Sequence, residues 1–264
     1  MSEVKFGVQL HPQHTTMADM RRAWRAADEL GVDSITTWDH FYPLYGDQQG
    51  AHFEGWTTLA AMAAETQRAQ VGILVTCNSY RNPDLLADMA RTVDHISQGR
   101  TVLGLGAGWY EHDYREYGYD FATAPERLRA FEDSLRRIKA RLAKLNPPPL
   151  GRLPILIGGG GEKVTLRLVA TYADMWNSVT NDVQLFRRKQ AILDSWCAKV
   201  GRAPRQIERS VLFEPEQVPD PSGFIAAGAG HLIVQWRHPF SIEPIAKLRE
   251  RLRQSGKEAA AAQA

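Results

Sequence analysis

The sequence lacks the features that mark several classes of protein. Only two cysteines occur among 264 residues, which excludes a disulfide framework and a cysteine-rich zinc site. No apolar run approaches the roughly 18 residues of a membrane span. The first ten residues, MSEVKFGVQL, have neither the basic nor the apolar region of a signal peptide. We therefore expect a cytoplasmic protein.

The sequence also has no large excess of positive or negative charge. The formal net charge is only +2, from 32 basic and 30 acidic side chains, so we expect neither a nucleic-acid nor a membrane partner. No His-Glu-x-x-His motif occurs, and HPQH (11–14) separates its two histidines by two residues, so we expect no metal site. A metal hydrolase stays an alternative that stoichiometric zinc in the purified protein would reveal.

Short apolar runs alternate with amphipathic helical patterns along most of the chain. The runs that predict strands are 4–10, 34–41, 70–78, 100–108, 153–160, 173–179, 207–214 and 231–237. The clearest helical patterns are 17–31, 82–97, 124–142 and 241–255. Such alternation predicts parallel pairing through right-handed crossovers. No glycine-rich fingerprint follows the first strand, so a single (β/α)8 TIM barrel is favoured over an open nucleotide-binding sheet.

The pattern weakens between the last two predicted strands. PEQVPDPSGFIAAGAG (214–229) is short and rich in proline, which predicts a stub instead of a full helix. No segment has the length or composition of a domain linker. We therefore expect one barrel domain over residues 1–255 and a disordered tail over 256–264.

Polar residues are concentrated where the predicted strands end, and active sites of parallel barrels lie at those ends. SITTWDHF (34–41) ends on Asp39 and His40, a carboxylate beside a base that titrates near neutral pH. This pair predicts a catalytic His40 supported by Asp39. A structural hydrogen bond from His40 and a turn capped by Asp39 would explain the pattern equally well.

Two strand ends are rich in glycine, GLGAGW (104–109) and IGGGGEK (157–163). Glycine lets a ligand approach the backbone closely, and the second run opens into a predicted helix whose free N–H groups favour a phosphate. Tight turns are the alternative explanation for both runs. Cys77 has no neighbouring pattern that marks a nucleophile, so we expect a buried packing residue.

Three motifs in order resemble the bacterial luciferase-like superfamily: WDHF at strand two, VTCNSYRNP after strand three and GLGAGWYEHDYREYG after strand four. The match is most similar to coenzyme F420-dependent oxidoreductases, although FMN enzymes share the scaffold. The resemblance implies a deazaflavin or flavin at the carboxyl mouth of the barrel, with His40 as base for a substrate hydroxyl. It also implies a non-proline cis peptide between Gly72 and Val75.

The resemblance further assigns residues to each part of the site. The expected cofactor-binding residues are Asp39, Gly72, Ile73, Thr76, Gly106, Ala107, Gly108, Gly158, Gly159, Gly160 and Gly161. The expected substrate pocket contains His11, Trp109 and His112. Sugar-phosphate dehydrogenases of this family carry a glutamate where this chain has Trp109, so the pocket should be more apolar and a sugar phosphate is disfavoured.

The resulting hypothesis is an oxidoreductase that transfers a hydride between coenzyme F420 and a small organic substrate. Two alternatives remain open: an FMN-dependent luciferase-like monooxygenase that uses oxygen, and a cofactor-binding barrel without turnover. The resemblance also implies a homodimer, for which the alanine-rich helix WTTLAAMAAE (56–65) is suited, although it would suit a buried helix equally well.

Overall fold

Nine parallel strand segments form one sheet in the computed structural model, which describes residues 4–261. The strands are β1 (Lys5–Leu10), β2 (Ser34–Thr37), β3 (Gln70–Ile73), β4 (Thr76–Cys77), β5 (Thr101–Gly106), β6 (Ile155–Gly158), β7 (Met175–Val179), β8 (Glu208–Phe213) and β9 (His231–Trp236). The α-helices are α1 (Met17–Leu30), α2 (Gly55–Glu65), α3 (Pro83–Ile96), α4 (Glu111–Tyr117), α5 (Ala124–Leu142), α6 (Thr165–Tyr172), α7 (Val183–Lys199), α8 (Ser222–Ala226) and α9 (Ile242–Ala261).

The sheet closes on itself. β1 pairs with β9 from Lys5↔His231 to Leu10↔Trp236, and β3 pairs with β2 on one side and with β5 on the other. β3 and β4 both pair with β5, so they occupy one position in the ring, interrupted by a two-residue bulge. The segments therefore make an eight-membered parallel barrel with helices between the strands. The predicted (β/α)8 TIM barrel is confirmed.

The helix ends follow from local side chains. The Thr16 side chain accepts a hydrogen bond from the Asp19 N–H at the start of α1, and Gly31 ends this helix in a left-handed conformation with φ of 77°. Asn82 caps α3 by accepting from the N–H groups of the following turn. The buried stripe of α1 packs against the barrel through Met20, Trp24 and Ala27, as the periodicity predicted.

The late part of the chain contains the predicted stub and a longer last helix than predicted. α8 is only five residues long, which is the stub expected after the seventh barrel strand, here β8. α9 continues to Ala261, into the segment predicted as a tail, and residues 262–264 lie outside the described residues. Within the part of the chain that the structure describes, no helix has the length and apolar character needed to cross a bilayer.

A partly buried polar network lies at the amino-terminal end of the barrel. Glu208 Oε1 lies 3.0 Å from His231 Nδ1, and Lys5 Nζ donates to Glu208 Oε2 at 2.6 Å. His231 Nε2 in turn lies 2.9 Å from Ser34 Oγ. Gly7 faces this pair, and a Cβ there would lie 2.1 Å from Ser34 Oγ, so glycine is required by the protein's own packing.

This network predicts a pH-dependent contribution to stability. Burial alone would raise the pKa of Glu208, but hydrogen bonds from His231 and Lys5 lower it from 4.5 to about 2. A depressed folded-state pKa stabilises the protein above the unfolded-state value, and the contribution is lost as the pH falls from about 4.5 towards 2. Glu208→Gln should therefore lower the free energy of unfolding by about 2 kcal/mol at neutral pH, after allowance for partial solvent screening.

Urea unfolding of both proteins between neutral pH and pH 3 tests this assignment. The difference between wild type and Glu208→Gln should shrink as the pH falls. A difference that is independent of pH would mean that the substitution acts through packing and not through charge.

Candidate active site

A cavity of about 620 Å³ lies at the carboxyl ends of the strands. Residues predicted for the site line much of its wall: His11, Asp39, His40, Thr76, Gly106, Ala107, Gly108, Trp109, Gly158 and Gly159. Gln9, Tyr45, Tyr80, Asn177 and Arg237 also line it, and none of these was singled out from the sequence. The strand ends therefore converge on one cavity, as the barrel topology requires.

Five predicted site residues lie outside the cavity wall. Gly72 and Ile73 sit lower in β3, and the bulge residues Leu74 and Val75 line the cavity in their place. Gly160 and Gly161 follow the lining residues on the way to α6. His112 turns away, and its ring packs edge-on against Tyr42 with centroids 4.7 Å apart.

A larger cleft of about 970 Å³ opens at the opposite, amino-terminal end of the barrel. Its charged side chains are mostly paired with one another, as Lys5 is with Glu208 and Arg152 with Asp174. The amino-terminal face of a barrel of this kind generally serves stability, whereas catalytic groups come from the carboxyl ends. We therefore place the active site in the smaller cavity.

Asp39 is fully buried, and both of its carboxylate oxygens are already engaged. Arg81 contacts Oδ2 at 2.6 Å and Oδ1 at 2.9 Å, and the Cys77 N–H donates to Oδ2 at 3.0 Å. Arg81 also binds Glu54, which caps the start of α2. Burial raises the pKa of Asp39 against the opposing effect of Arg81, so the negative charge of Asp39 depends on this one cation.

The carboxylate that contacts His40 belongs to Asp113 and not to the neighbouring Asp39. His40 Nδ1 lies 2.8 Å from Asp113 Oδ2, and the His40 side chain is 13% exposed whereas that of Asp113 is fully buried. His40 Nε2 has no hydrogen-bond partner in the described part of the chain. Asp113 lies in GLGAGWYEHDYREYG, but nothing in the local pattern marks it among three acidic residues of that motif.

Aromatic rings surround His40 on several sides. Trp38, Trp109 and Tyr110 each meet its ring edge-on, with centroids 6.0, 5.8 and 5.4 Å away. Trp109 is 65% exposed, which is a large apolar surface to leave open at the mouth of a cavity. The apolar pocket that the sequence predicted is therefore built mainly from rings on the loops after β2 and β5.

His11 also lines the cavity, on the other side of the Trp38 contact, as a neutral imidazole. Burial, assisted by the positive charge of Arg237, lowers the pKa of His11 to about 3. Its Nδ1 lies 2.6 Å from the Tyr45 hydroxyl, and its ring lies 4.2 Å from that of Trp38. An imidazole with so low a pKa is a weak base, so His11 shapes the pocket and is a poor candidate for the proton acceptor.

Two of the predicted cofactor glycines are required by the protein's own bulge. The peptide between Leu74 and Val75 is cis, within the interval that the resemblance indicated. A Cβ at Gly106 or Gly158 would lie 2.7 or 2.8 Å from the Val75 side chain. The need for space beside Val75 therefore explains glycine at both positions, and no ligand is needed to explain it.

Other features of the wall fit a polar ligand. Thr76 Oγ1 and Asn177 Oδ1 are buried and have no hydrogen-bond partner among the described residues. Gly159, at a φ of 117°, lines the cavity, and Gly160 follows it; a Cβ on either would make only ordinary van der Waals contact, 3.5 Å from Thr165 or Lys189. Buried polar atoms normally have partners, so these two oxygens indicate that a bound group satisfies them.

Two other chemistries find less support in the geometry. Burial raises the pKa of Cys77 to about 11, so its thiol stays protonated at neutral pH and is a weak nucleophile. Within residues 4–261, the described histidines, cysteines and carboxylates form no group of three or more that could hold a metal ion.

Comparison with known proteins gives one family. Residues 2–215 match the model described as luciferase-like monooxygenase, which is well over half of the chain. An F420-dependent glucose-6-phosphate dehydrogenase of Nocardia farcinica is 29% identical over 222 residues, which cover 74% of this chain. The matched region spans 63% of that relative, which is less than two thirds of its length.

Solved structures share the fold at low sequence identity. An F420-dependent secondary alcohol dehydrogenase in complex with an F420-acetone adduct superposes with a TM-score of 0.82 at 15% identity, covering 93% of this chain and 98% of the other. The oxygenating constituent of 3,6-diketocamphane monooxygenase from Pseudomonas putida, in complex with FMN, gives 0.74 at 14% identity, covering 93% and 96%.

Proposed function

This chain belongs to the luciferase-like monooxygenase family, and from that premise we propose that it is an oxidoreductase that transfers a hydride between coenzyme F420 and a small organic substrate. The observation that carries the proposal is the placement of His40 in the cavity wall, with Nδ1 on Asp113 and Nε2 free. The F420-dependent relative from Nocardia farcinica and the F420-dependent alcohol dehydrogenase fold support the choice of cofactor.

The wall of the cavity fits such a cofactor. Thr76 and Asn177 offer unsatisfied oxygens for polar atoms of a ring, and Gly159 and Gly160 leave space beside the start of α6 for an anionic tail. The amide N–H groups of Gly160 and Gly161 have no acceptor among the described residues, which suits a phosphate. When bound, the deazaflavin supplies hydride chemistry, and the protein supplies orientation and proton transfer.

His40 manages the proton in this proposal. When an alcohol is oxidised, His40 accepts the hydroxyl proton at Nε2, and in the reverse direction it returns that proton to the carbonyl oxygen. The rings of Trp38, Trp109 and Tyr110 surround the imidazole and leave the His40 side chain 13% exposed. The same arrangement serves oxidation and reduction.

The chemistry of the mouth favours an apolar substrate. Trp109 replaces the glutamate that the sugar-phosphate dehydrogenases carry, and its exposed ring offers contact area to an apolar or aromatic alcohol or ketone. Arg237 and Glu214 both line the cavity, and they form an ion pair at 3.1 Å in which the two charges compensate each other. We therefore propose that the substrate carries no phosphate.

An FMN-dependent monooxygenase is the second candidate, since the Pseudomonas putida structure with FMN shares the fold. The two differ in the reaction with oxygen, because the carbon that replaces the ring nitrogen in a deazaflavin makes the reduced ring react poorly with oxygen. A barrel that binds the cofactor without turnover is the third candidate.

Titration of the purified protein with F420 and with FMN, followed by fluorescence and calorimetry, tests the proposal. We expect F420 to bind at least tenfold more tightly than FMN, with turnover of apolar alcohols or ketones. Tighter binding of FMN with oxygen uptake by the reduced complex would favour the monooxygenase. Tight F420 binding without conversion across a broad substrate panel would favour the barrel without turnover.

The same titration with Gly160→Val locates the anionic tail. A branched side chain at this position should weaken binding of F420 but not of the deazaflavin without its phosphate tail. Gly230→Val, at the other end of the barrel where a Cβ also meets only distant atoms, is the matched control. Equal weakening of both ligands would remove the assignment of the phosphate to this loop.

A further inference from the structure

Asp113 is a buried carboxylate that accepts three hydrogen bonds and makes a fourth polar contact with His40. Its Oδ2 receives the Tyr80 hydroxyl at 3.0 Å and contacts His40 Nδ1 at 2.8 Å. Its Oδ1 receives the backbone N–H groups of Phe41 and Tyr42 at 3.2 and 3.1 Å. A buried carboxyl group with four polar partners is held in one position.

The groups that surround Asp113 indicate which of the two ring nitrogens of His40 carries the proton. Among the described residues no lysine or arginine lies within ion-pair distance of Asp113. His40 contacts it directly, and His52 interacts electrostatically with both Asp113 and His40 at longer range. Burial raises the pKa of Tyr80, so this hydroxyl keeps its proton and donates it to Oδ2. A carboxyl group that receives three hydrogen bonds acts as an acceptor, and in the same role towards His40 it requires a proton on Nδ1.

We propose that Asp113 is a positioning residue that holds His40 in the Nδ1–H tautomer and so leaves the lone pair of Nε2 as the proton acceptor facing the cavity. This inference rests on the proposed function for its catalytic consequence, but the tautomer itself is a property of the protein alone. Asp113 does not touch the substrate in this proposal. It acts through the orientation and protonation of His40.

A purely structural role is the competing explanation, because Asp113 also ties the N–H groups of Phe41 and Tyr42 to α4. Asp113→Asn separates the two roles. The amide oxygen can still accept from both N–H groups, while the amide NH₂ faces His40 and can only donate. The favoured tautomer of His40 should then invert, with the proton on Nε2.

The experiment records the ¹⁵N chemical shifts of the histidine side chains in the cofactor-free protein, in mildly alkaline buffer where a free imidazole is neutral. Wild-type His40 should give the Nδ1–H pattern, and Asp113→Asn should give the Nε2–H pattern. Tyr80→Phe is the matched control, since it removes the other donor to the same oxygen and should leave the tautomer unchanged. His40→Ala assigns the resonances.

Activity provides the second readout. Asp113→Asn should lower kcat by a factor of about 10 to 10² with little change in cofactor Kd, because a misplaced proton blocks the base while the cavity stays intact. An unchanged tautomer, or an inverted tautomer with full kcat, would overturn the inference. If the wild type shows the Nδ1–H tautomer but no turnover with F420, the proposed function fails while the role of Asp113 in setting the tautomer stands.

Discussion

His40→Ala is expected to lower turnover by about 10²- to 10⁴-fold, the range typical of a lost general base, while the Kd for F420 stays nearly unchanged. The His40 side chain lines the cavity, and its Nε2 has no hydrogen-bond partner in the described part of the chain. Its ring nitrogens contribute one contact to the protein, that of Nδ1 with Asp113. Removal of the imidazole therefore takes away the proton acceptor and leaves the other walls in place.

Steady-state kinetics and a cofactor titration on the same preparation measure the two quantities separately. His95→Ala is the control, because this histidine lies on the surface of α3 and contacts only the Pro148 carbonyl. Added imidazole should restore part of the activity of His40→Ala and none of the activity of Asp113→Asn. Turnover that survives in His40→Ala would remove His40 from the mechanism.

Asp39→Asn is expected to lower the free energy of unfolding by about 3 kcal/mol. The substitution keeps the shape of the side chain but leaves the guanidinium of Arg81, which is only 11% exposed, with Glu54 as its one remaining counter-ion. Burial lowers the pKa of Arg81, but the carboxylates of Asp39 and Glu54 outweigh this effect and hold it above the ordinary value. Breaking one side of a buried ion pair costs several kcal/mol because the remaining charge stays desolvated.

Urea unfolding at neutral pH measures this loss, and Asp133→Asn, on the exposed surface of α5, is the control. The result also tests the role that the resemblance implies for Asp39. Full stability with weakened cofactor binding would mean that Asp39 acts at the cofactor. Lost stability would mean that Asp39 and Arg81 chiefly fix the end of β2, and so the position of His40.

The sequence was a reliable guide to the order of the elements because apolar periodicity and helix caps are local. Each predicted strand contains an observed strand, and Asn82 caps α3 as its position before Pro83 predicted. The cavity at the carboxyl ends also followed, because parallel strands that alternate with helices must bring those ends together. The shortness of α8, before β9, was predicted from the short, proline-rich segment that contains it.

The hydrogen-bond and ion-pair partners of the reactive side chains could not be predicted from the sequence. Asp39 precedes His40 in the chain, but the two side chains have different partners: Asp39 contacts Arg81, and His40 contacts Asp113. Asp113 is 73 positions from His40, and no local pattern connects the two. Likewise, Gly106 and Gly158 resemble ligand contacts in the sequence, and only the fold shows that Val75 occupies the space they leave.

The sequence by itself therefore determined the barrel, the order of its strands and helices, and the end of the barrel at which a catalytic base would lie. The tertiary structure determined which carboxylate contacts that base, which glycines leave room for a side chain and which rings enclose the pocket. The physical reason is that strand and helix formation depends on near neighbours, whereas hydrogen bonds and ion pairs in a barrel mouth join residues from different crossovers. Their pairing exists only once the ring of strands has closed.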